Sequence, residues 1–276
     1  MKKNSTGSSR RTFLTAAGAA LAVQAGMTVE AHTSSLVKGR SFVLVHGAWH
    51  GGWCWKHVRA KLEAEGARVF TPTLTGQGER HHLRNAEIDL HTHIKDLTAV
   101  LETEELANVV LVGHSFGAYS MIGAAQLLPQ KISHLVFLDA TLPVPAKAAR
   151  EFWDPAAMVE VEKNLIDGFR LPSFPPSMFD IPPEDKINTE WAKRRLTDMP
   201  YGVFKTPFPA MPEANAKAFG AIRKTFIRCT KGKLDGPRLG FEAAKREGMS
   251  LIDLATAHNP MMTAPQELTT LLLKIA

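Results

Sequence analysis

The sequence predicts an α/β protein, a mainly parallel six-stranded core sheet with helices on both faces and one lid-like insertion. Three observations predict it. Six short apolar, β-branched runs recur along the chain, amphipathic helical patterns separate them, and one proline- and aromatic-rich stretch breaks the alternation. At 276 residues, 45% hydrophobic and 22% charged, the chain is ample for a buried core and unlike a disordered or fibrous one.

Residues 1–31 read as an address. Lys2, Lys3, Arg10 and Arg11 lead into a mild apolar run, Phe13 to Met27, too short to span a bilayer, and Val29-Glu30-Ala31 closes it with small outer residues. The pattern Ser9-Arg10-Arg11-Thr12-Phe13-Leu14 resembles a twin-arginine signal. It implies cleavage near Ala31-His32 and export of the folded bacterial protein to the periplasm or the medium. The folded domain is then residues 32–276.

The strands are expected at Ser41 to His46, Ala67 to Phe70, Asn108 to Gly113, Ser133 to Leu138, Lys224 to Cys229 and Met249 to Ala255, each buried on both faces. Trp55, Val58 and Leu62 mark a helix that Gly66 ends, and Leu90, Ile94, Leu97 and Leu101 mark another. Thr263-Ala264-Pro265-Gln266 has a capping-box pattern at the start of the last helix. The insertion, about 141–222, holds 12 of the 17 prolines and 10 of the 21 aromatic residues. That proline density forbids long helices. At about 25 cal/mol per Å², so much aromatic surface would not be left in water, so the segment reads as a lid over an apolar pocket.

The net charge is +6, of which residues 1–31 carry +3. The remaining +3 forms no basic stripe, which argues against nucleic acid or an anionic membrane surface, and the shortness of the apolar run argues against stable membrane insertion. His81-His82 and His91-x-His93 read as surface or packing histidines, since no Cys and His spacing fits a metal site. The oligomeric state is left open.

Chemistry is concentrated at two turns. Asn108 to Val112 runs directly into Gly113-His114-Ser115-Phe116-Gly117 and then into a helical stretch, Ala118 to Leu128, stopped by Pro129. A serine on such a strand-to-helix turn is held in strained backbone geometry that exposes its hydroxyl, with a helix N-terminus behind it to favour developing negative charge. The first strand ends in Val45-His46-Gly47-Ala48-Trp49-His50-Gly51-Gly52-Trp53, a glycine-rich turn that presents backbone N–H groups to the crevice.

From Arg40 to Ala276 the chain resembles the α/β-hydrolase superfamily, in the branch of plant methyl esterases, hydroxynitrile lyases and bacterial pyrethroid-hydrolase-like esterases. The matching pieces are HGAWHGGWCW at 46–55, LTGQGER at 74–80, GHSFG at 113–117, VFLDA at 136–140 and His258-Asn259-Pro260-Met261. The resemblance implies strand order 4-3-5-6-7-8 in the superfamily's numbering, Ser115 as nucleophile, His258 as its base, and the N–H groups of Ala48 and Phe116 as oxyanion hole. In that order Cys54 and Cys229 belong to strands three spacings apart, about 14 Å. A disulfide needs Cα atoms within about 7 Å, so free thiols are expected.

The acid departs from the branch's C-T-x-D pattern, because this chain reads Cys229-Thr230-Lys231-Gly232. Asp139, ending the fourth strand, is preferred, with Asp235 as the alternative acid and otherwise a helix cap. The implied activity is a cofactor-free serine hydrolase cleaving an apolar small-molecule ester or lactone, aryl groups fitting the aromatic lid, through an acyl-enzyme. Two alternatives stand beside it. One is a hydrolase-like ligand-binding protein with little turnover; the other is a hydroxynitrile lyase, whose usual lysine after the histidine and threonine in the oxyanion turn are here Asn259 and Ala48.

Overall fold

A computed structural model describes residues 38–276. The expected signal segment and its cleavage site lie outside the described residues. Along the chain run β1 (Ser41–Val45), β2 (Arg68–Phe70), β3 (Val109–His114), β4 (Ile132–Leu138), β5 (Arg170–Leu171), β6 (Met199–Pro200), β7 (Arg223–Cys229) and β8 (Ser250–Leu254). Six of them form one sheet in the order β2-β1-β3-β4-β7-β8. Every pairing in that sheet is parallel. Both ends of all six strands fall within one residue of expectation, and the order is the expected one.

The helices are α1 (Lys56–Ala64), α2 (Leu90–Thr103), α3 (Gly117–Leu127), α4 (Pro155–Lys163), α5 (Lys186–Lys193), α6 (Gly202–Lys205), α7 (Ala216–Ala221), α8 (Asp235–Arg246), α9 (Pro260–Thr263) and α10 (Pro265–Ile275). The strand period of two splits the core between them. Phe42 and Leu44 of β1 pack with Val58 and Leu62 of α1 and with Leu268 and Leu272 of α10. Val43 and Val45 face the other way, toward Leu97 and Leu101 of α2 and Met121 of α3. α2 starts on a capping box in which Asp89 accepts from the Thr92 N–H at 2.9 Å.

Two local expectations are corrected. β8 is not buried on both faces: as an edge strand it leaves Ser250, Leu251 and Asp253 exposed. α10 has no side-chain cap, because Thr263 belongs to the preceding turn of helix, where its hydroxyl donates to the Asn259 carbonyl at 3.0 Å. Cys54 and Cys229 are free and buried, and β3 and β4 separate the strands they follow and end.

Between β4 and β7 the chain leaves the sheet and returns after short helices of four to nine residues and the antiparallel β5–β6 ribbon. This segment is fastened at several places. Asp198 pairs with Arg84 and, at 3.3 Å, with Arg170; the Thr197 N–H donates to the Trp49 carbonyl at 3.1 Å; and Asn259 Nδ2 donates to the Phe179 carbonyl at 2.6 Å. Its aromatic side chains close over Ala48, Trp49, Phe116 and Tyr119 as a third apolar cluster.

Candidate active site

β3 delivers its chain to a turn so tight that Ser115 adopts φ 52°. Among the described residues eight non-glycine residues have positive φ, and Trp49 (62°), Ser115 (52°) and Asp139 (42°) are all at this site. Strain of this kind persists only where surrounding contacts enforce it. Here the Ser115 N–H donates to the Leu138 carbonyl at 3.1 Å and its carbonyl accepts from the Thr141 N–H at 3.2 Å, tying the turn to the end of β4. Two glycines permit the close approach of β1. A Cβ on Gly117 would stand 2.3 Å from the His46 carbonyl oxygen, and one on Gly47 would stand 3.0 Å from Ser115 Cβ.

Three side chains meet in line. Ser115 Oγ lies 3.0 Å from His258 Nε2, and His258 Nδ1 lies 2.7 Å from Asp139 Oδ2. An ionised carboxylate only accepts, so Nδ1 carries the imidazole proton and Nε2 accepts from the serine hydroxyl. Asp139 Oδ1 accepts from the Cys229 N–H at 3.0 Å, which holds the carboxylate from its far side. His258 and Asp139 are buried at 2% and 3% exposure. The loop carrying His258 is held by His114, whose Nε2–H donates to the His258 carbonyl at 2.8 Å.

Asp235 stands apart. It is the first residue of α8, its side chain is 83% exposed, and it pairs with Arg238 at 3.0 Å without capping the helix, which corrects the expectation of a cap. Gly232 is informative in a different way. A Cβ there would sit 3.3 Å from Asp139 Oδ2, so position 232 aims at the place where the Asp139 carboxylate arrives from the neighbouring strand.

Beside the serine, the N–H groups of Ala48 and Phe116 donate to no backbone or side-chain acceptor among the described residues. A cavity of about 550 Å³ adjoins them, lined by Trp49, Phe116, Tyr119, Trp153, Phe174 and Phe204 and by residues of α8. Phe116 stacks on Phe204 at 4.4 Å and on Tyr119 at 4.6 Å. His50 also lines it, and burial pushes its imidazole down to about 4, so the ring is neutral near pH 7. Burial, then the neighbouring His258, holds His114 well below the ordinary histidine value. A more open depression of about 740 Å³, between α1, α2 and the edge strand β2, includes none of these groups.

Three contributors were not singled out from the sequence: the side chain of Trp49, Tyr119, and the α8 wall. Tyr119 carried a signal, standing in the first turn of the helix that follows the serine elbow. Trp49 carried none, because only its positive φ turns the indole inward.

Residues 42–270 match the alpha/beta hydrolase family. The chain is 32% identical, over 83% of its length and 96% of the relative's, to a carbendazim hydrolyzing esterase of Nocardioides sp. (strain SG-4G). It is 28% identical, over 85% of its length and 95% of the relative's, to methylesterase 3 of Arabidopsis thaliana. A pyrethroid hydrolase from Sphingobium faniae JZ-2 superposes with TM-score 0.66 at 21% identity, over 86% of this chain and 97% of that one.

Proposed function

The chain belongs to the alpha/beta hydrolase family, and from that premise we propose that it hydrolyses a small apolar carboxylic ester or lactone through an acyl-enzyme on Ser115. The carrying observation is the unbroken line of hydrogen bonds from Ser115 through His258 to Asp139. As Ser115 Oγ attacks the acyl carbon, His258 Nε2 takes its proton, and Asp139 steadies the imidazolium without taking the proton itself. The carbonyl oxygen, now negative, receives hydrogen bonds from the Ala48 and Phe116 N–H groups; losing one such donor typically costs about 10²- to 10³-fold in turnover. His258 returns the proton to the departing alcohol. Water then repeats the sequence on the acyl-enzyme and frees the acid.

The esterase and methylesterase relatives support ester chemistry, and the aromatic wall supports an apolar, aryl-bearing substrate. The lyase alternative lacks support, since the position after His258 holds neutral Asn259, whose amide nitrogen is committed to the Phe179 carbonyl at 2.6 Å. Ligand binding without turnover is separated from hydrolysis by labelling with a fluorophosphonate. The expectation is one label per chain on Ser115, and Ser115→Ala should keep the fold while losing p-nitrophenyl ester hydrolysis. An unlabelled serine, or residual turnover above about a thousandth of wild type, would point away from the acyl-enzyme.

Export through the twin-arginine route is part of the same proposal, carried by Arg10-Arg11 and the apolar run after them. Replacing the pair by Lys-Lys should retain the enzyme inside the cell. Continued export would remove that part.

A further inference from the structure

The chain around His258 is held by the core and by the lid. From the core, His114 Nε2–H donates to the His258 carbonyl at 2.8 Å, and the two rings lie 4.6 Å apart. The tie to the lid runs through the next residue. Asn259 is fully buried and stands at the N-terminal cap of α9, where its carbonyl accepts from the Met262 and Thr263 N–H groups at 3.0 and 3.1 Å. An asparagine in that place ordinarily turns its side chain onto the N–H groups of its own helix. Here the side chain makes no such bond, and Nδ2–H donates instead across 80 residues of chain to the Phe179 carbonyl at 2.6 Å. A carbonyl oxygen only accepts, so the amide nitrogen is the atom that faces it.

Phe179 belongs to the cavity wall and packs against His50 and Trp49 at 5.2 and 5.5 Å. Its successor, Asp180, has φ 56° and accepts the Lys233 N–H at 2.8 Å. That bond falls one residue beyond Gly232, whose Cβ direction passes 3.3 Å from Asp139 Oδ2. Two consecutive lid residues therefore grip the two segments that meet at the His258–Asp139 pair, Phe179 the one that carries the base and Asp180 the one that passes the acid. Asn259 itself does not line the cavity. Removing its donor would strand the Phe179 carbonyl and free the residue next to the base, while leaving the His114 bond in place.

We infer that Asn259 is a positioning residue: by tying the residue after the base to the lid, it sets His258 at hydrogen-bond distance from Ser115. The lid then takes part in aligning proton transfer as well as in walling the cavity. The inference rests on the esterase reading above, in which His258 takes the proton of Ser115. Asn259 touches neither the substrate nor the reacting atoms and acts through His258 alone. Nε2 stands 3.0 Å from Oγ, and a displacement of about 1 Å there costs about 10²-fold in rate. With the tie to His114 retained, a loss of about tenfold or more is expected.

The test is Asn259→Ala, with Asn259→Leu keeping the branched shape without the donor should the alanine variant melt too low to assay. Either should slow fluorophosphonate labelling of Ser115, and lower kcat for p-nitrophenyl esters, by about tenfold or more. Ester dissociation constants, measured on a Ser115→Ala background by tryptophan fluorescence, should stay within about twofold. A lid anchor with no part in alignment would do the opposite, weakening binding and sparing kcat. In a His258→Ala enzyme the same substitution should change the residual rate by no more than about twofold, because no base is left to misplace. Unchanged labelling and kcat in a folded variant, or an equal loss with and without His258, would overturn the inference. If wild-type Ser115 is labelled but no ester is turned over, the esterase reading fails while the labelling rates still decide the role of Asn259. A wild-type serine that resists labelling overturns both.

Discussion

Replacing Asp139 by Asn changes one oxygen of a buried carboxylate that touches two partners. Oδ1 can still accept from the Cys229 N–H, now 3.0 Å away, but the amide presents N–H where Oδ2 received His258 Nδ1–H at 2.7 Å. Nδ1 must then give up its proton, Nε2 becomes the donor, and the serine loses its acceptor. Such a tautomer change costs about 10⁴-fold in kcat, or about 5.5 kcal/mol of barrier. Asp139→Ala should cost as much and also strand the Cys229 N–H, a further loss of about 1 to 3 kcal/mol in stability. Gly232 allows the reverse test. Its φ lies outside the left-handed region, and its Cβ direction passes 3.3 Å from Asp139 Oδ2. An aspartate there carries its oxygens about 2.4 Å beyond Cβ, so a loop shift of about 1 Å closes the gap. The double substitution Asp139→Ala with Gly232→Asp should recover about 10²-fold of the lost rate. The assay is p-nitrophenyl ester turnover with a melting curve for each variant. Asp139→Asn retaining more than about a tenth of kcat would refute the assignment. A folded double variant with no recovery would refute the geometry at 232. Asp235→Asn, at an exposed pair with Arg238, should leave kcat within about twofold.

Burial pushes His46 down to about 3 and His50 and His134 down to about 4, against 6.5 for the free side chain. The unfolded chain therefore binds these protons first, and stability present above pH 6.5 is lost as the pH falls, by about 1.4 kcal/mol per pH unit for each fully protonated histidine. Denaturant titrations at pH 5 and 6 should give a slope of more than one proton; a flat profile would contradict the buried neutral rings. Gly117→Ala puts a Cβ 2.3 Å from the His46 carbonyl oxygen and must displace the elbow or β1. A lower Tm and about a 10²-fold loss of kcat/KM are expected, and an unperturbed enzyme would show that the elbow is not under that constraint.

What the sequence could disclose followed from periodicity. Strands buried on both faces have no competing pattern, which is why Val109–His114 was legible to within a residue, and the strand-to-helix change across GHSFG marked the turn. β5 and β6 were not legible, because two-residue strands 27 residues apart have no period of their own. Thr263 misled for a similar reason: the same letters suit a cap or a helix C-terminus, and Pro260 had already started a turn of helix that claimed it. The two aspartates stayed unresolved because chain order says which element ends near the histidine, whereas a 2.7 Å contact depends on side-chain direction. Gly232 looked like a missing acid; its Cβ vector relates it to one that is present.

The Asp139 carboxylate stands on the strand beside the serine's own, and this changes what the β7–α8 connection is free to do. Where a loop carries a reacting group, each insertion or deletion in it must preserve that group's position to a fraction of an ångström. Here residues 230–234 carry none of the Ser115, His258 and Asp139 side chains, yet Leu234 and the start of α8 border the mouth of the cavity. The connection is attached to the lid through the Lys233 N–H and Asp180, at 2.8 Å, and to the segment leading to His258 through the Lys231 N–H and the Thr256 carbonyl, at 2.9 Å. On the proposed mechanism Lys233 and Leu234 can be rewritten to remodel the entrance, while Thr230 and Lys231 stay tied to the strand and loop that lead to His258.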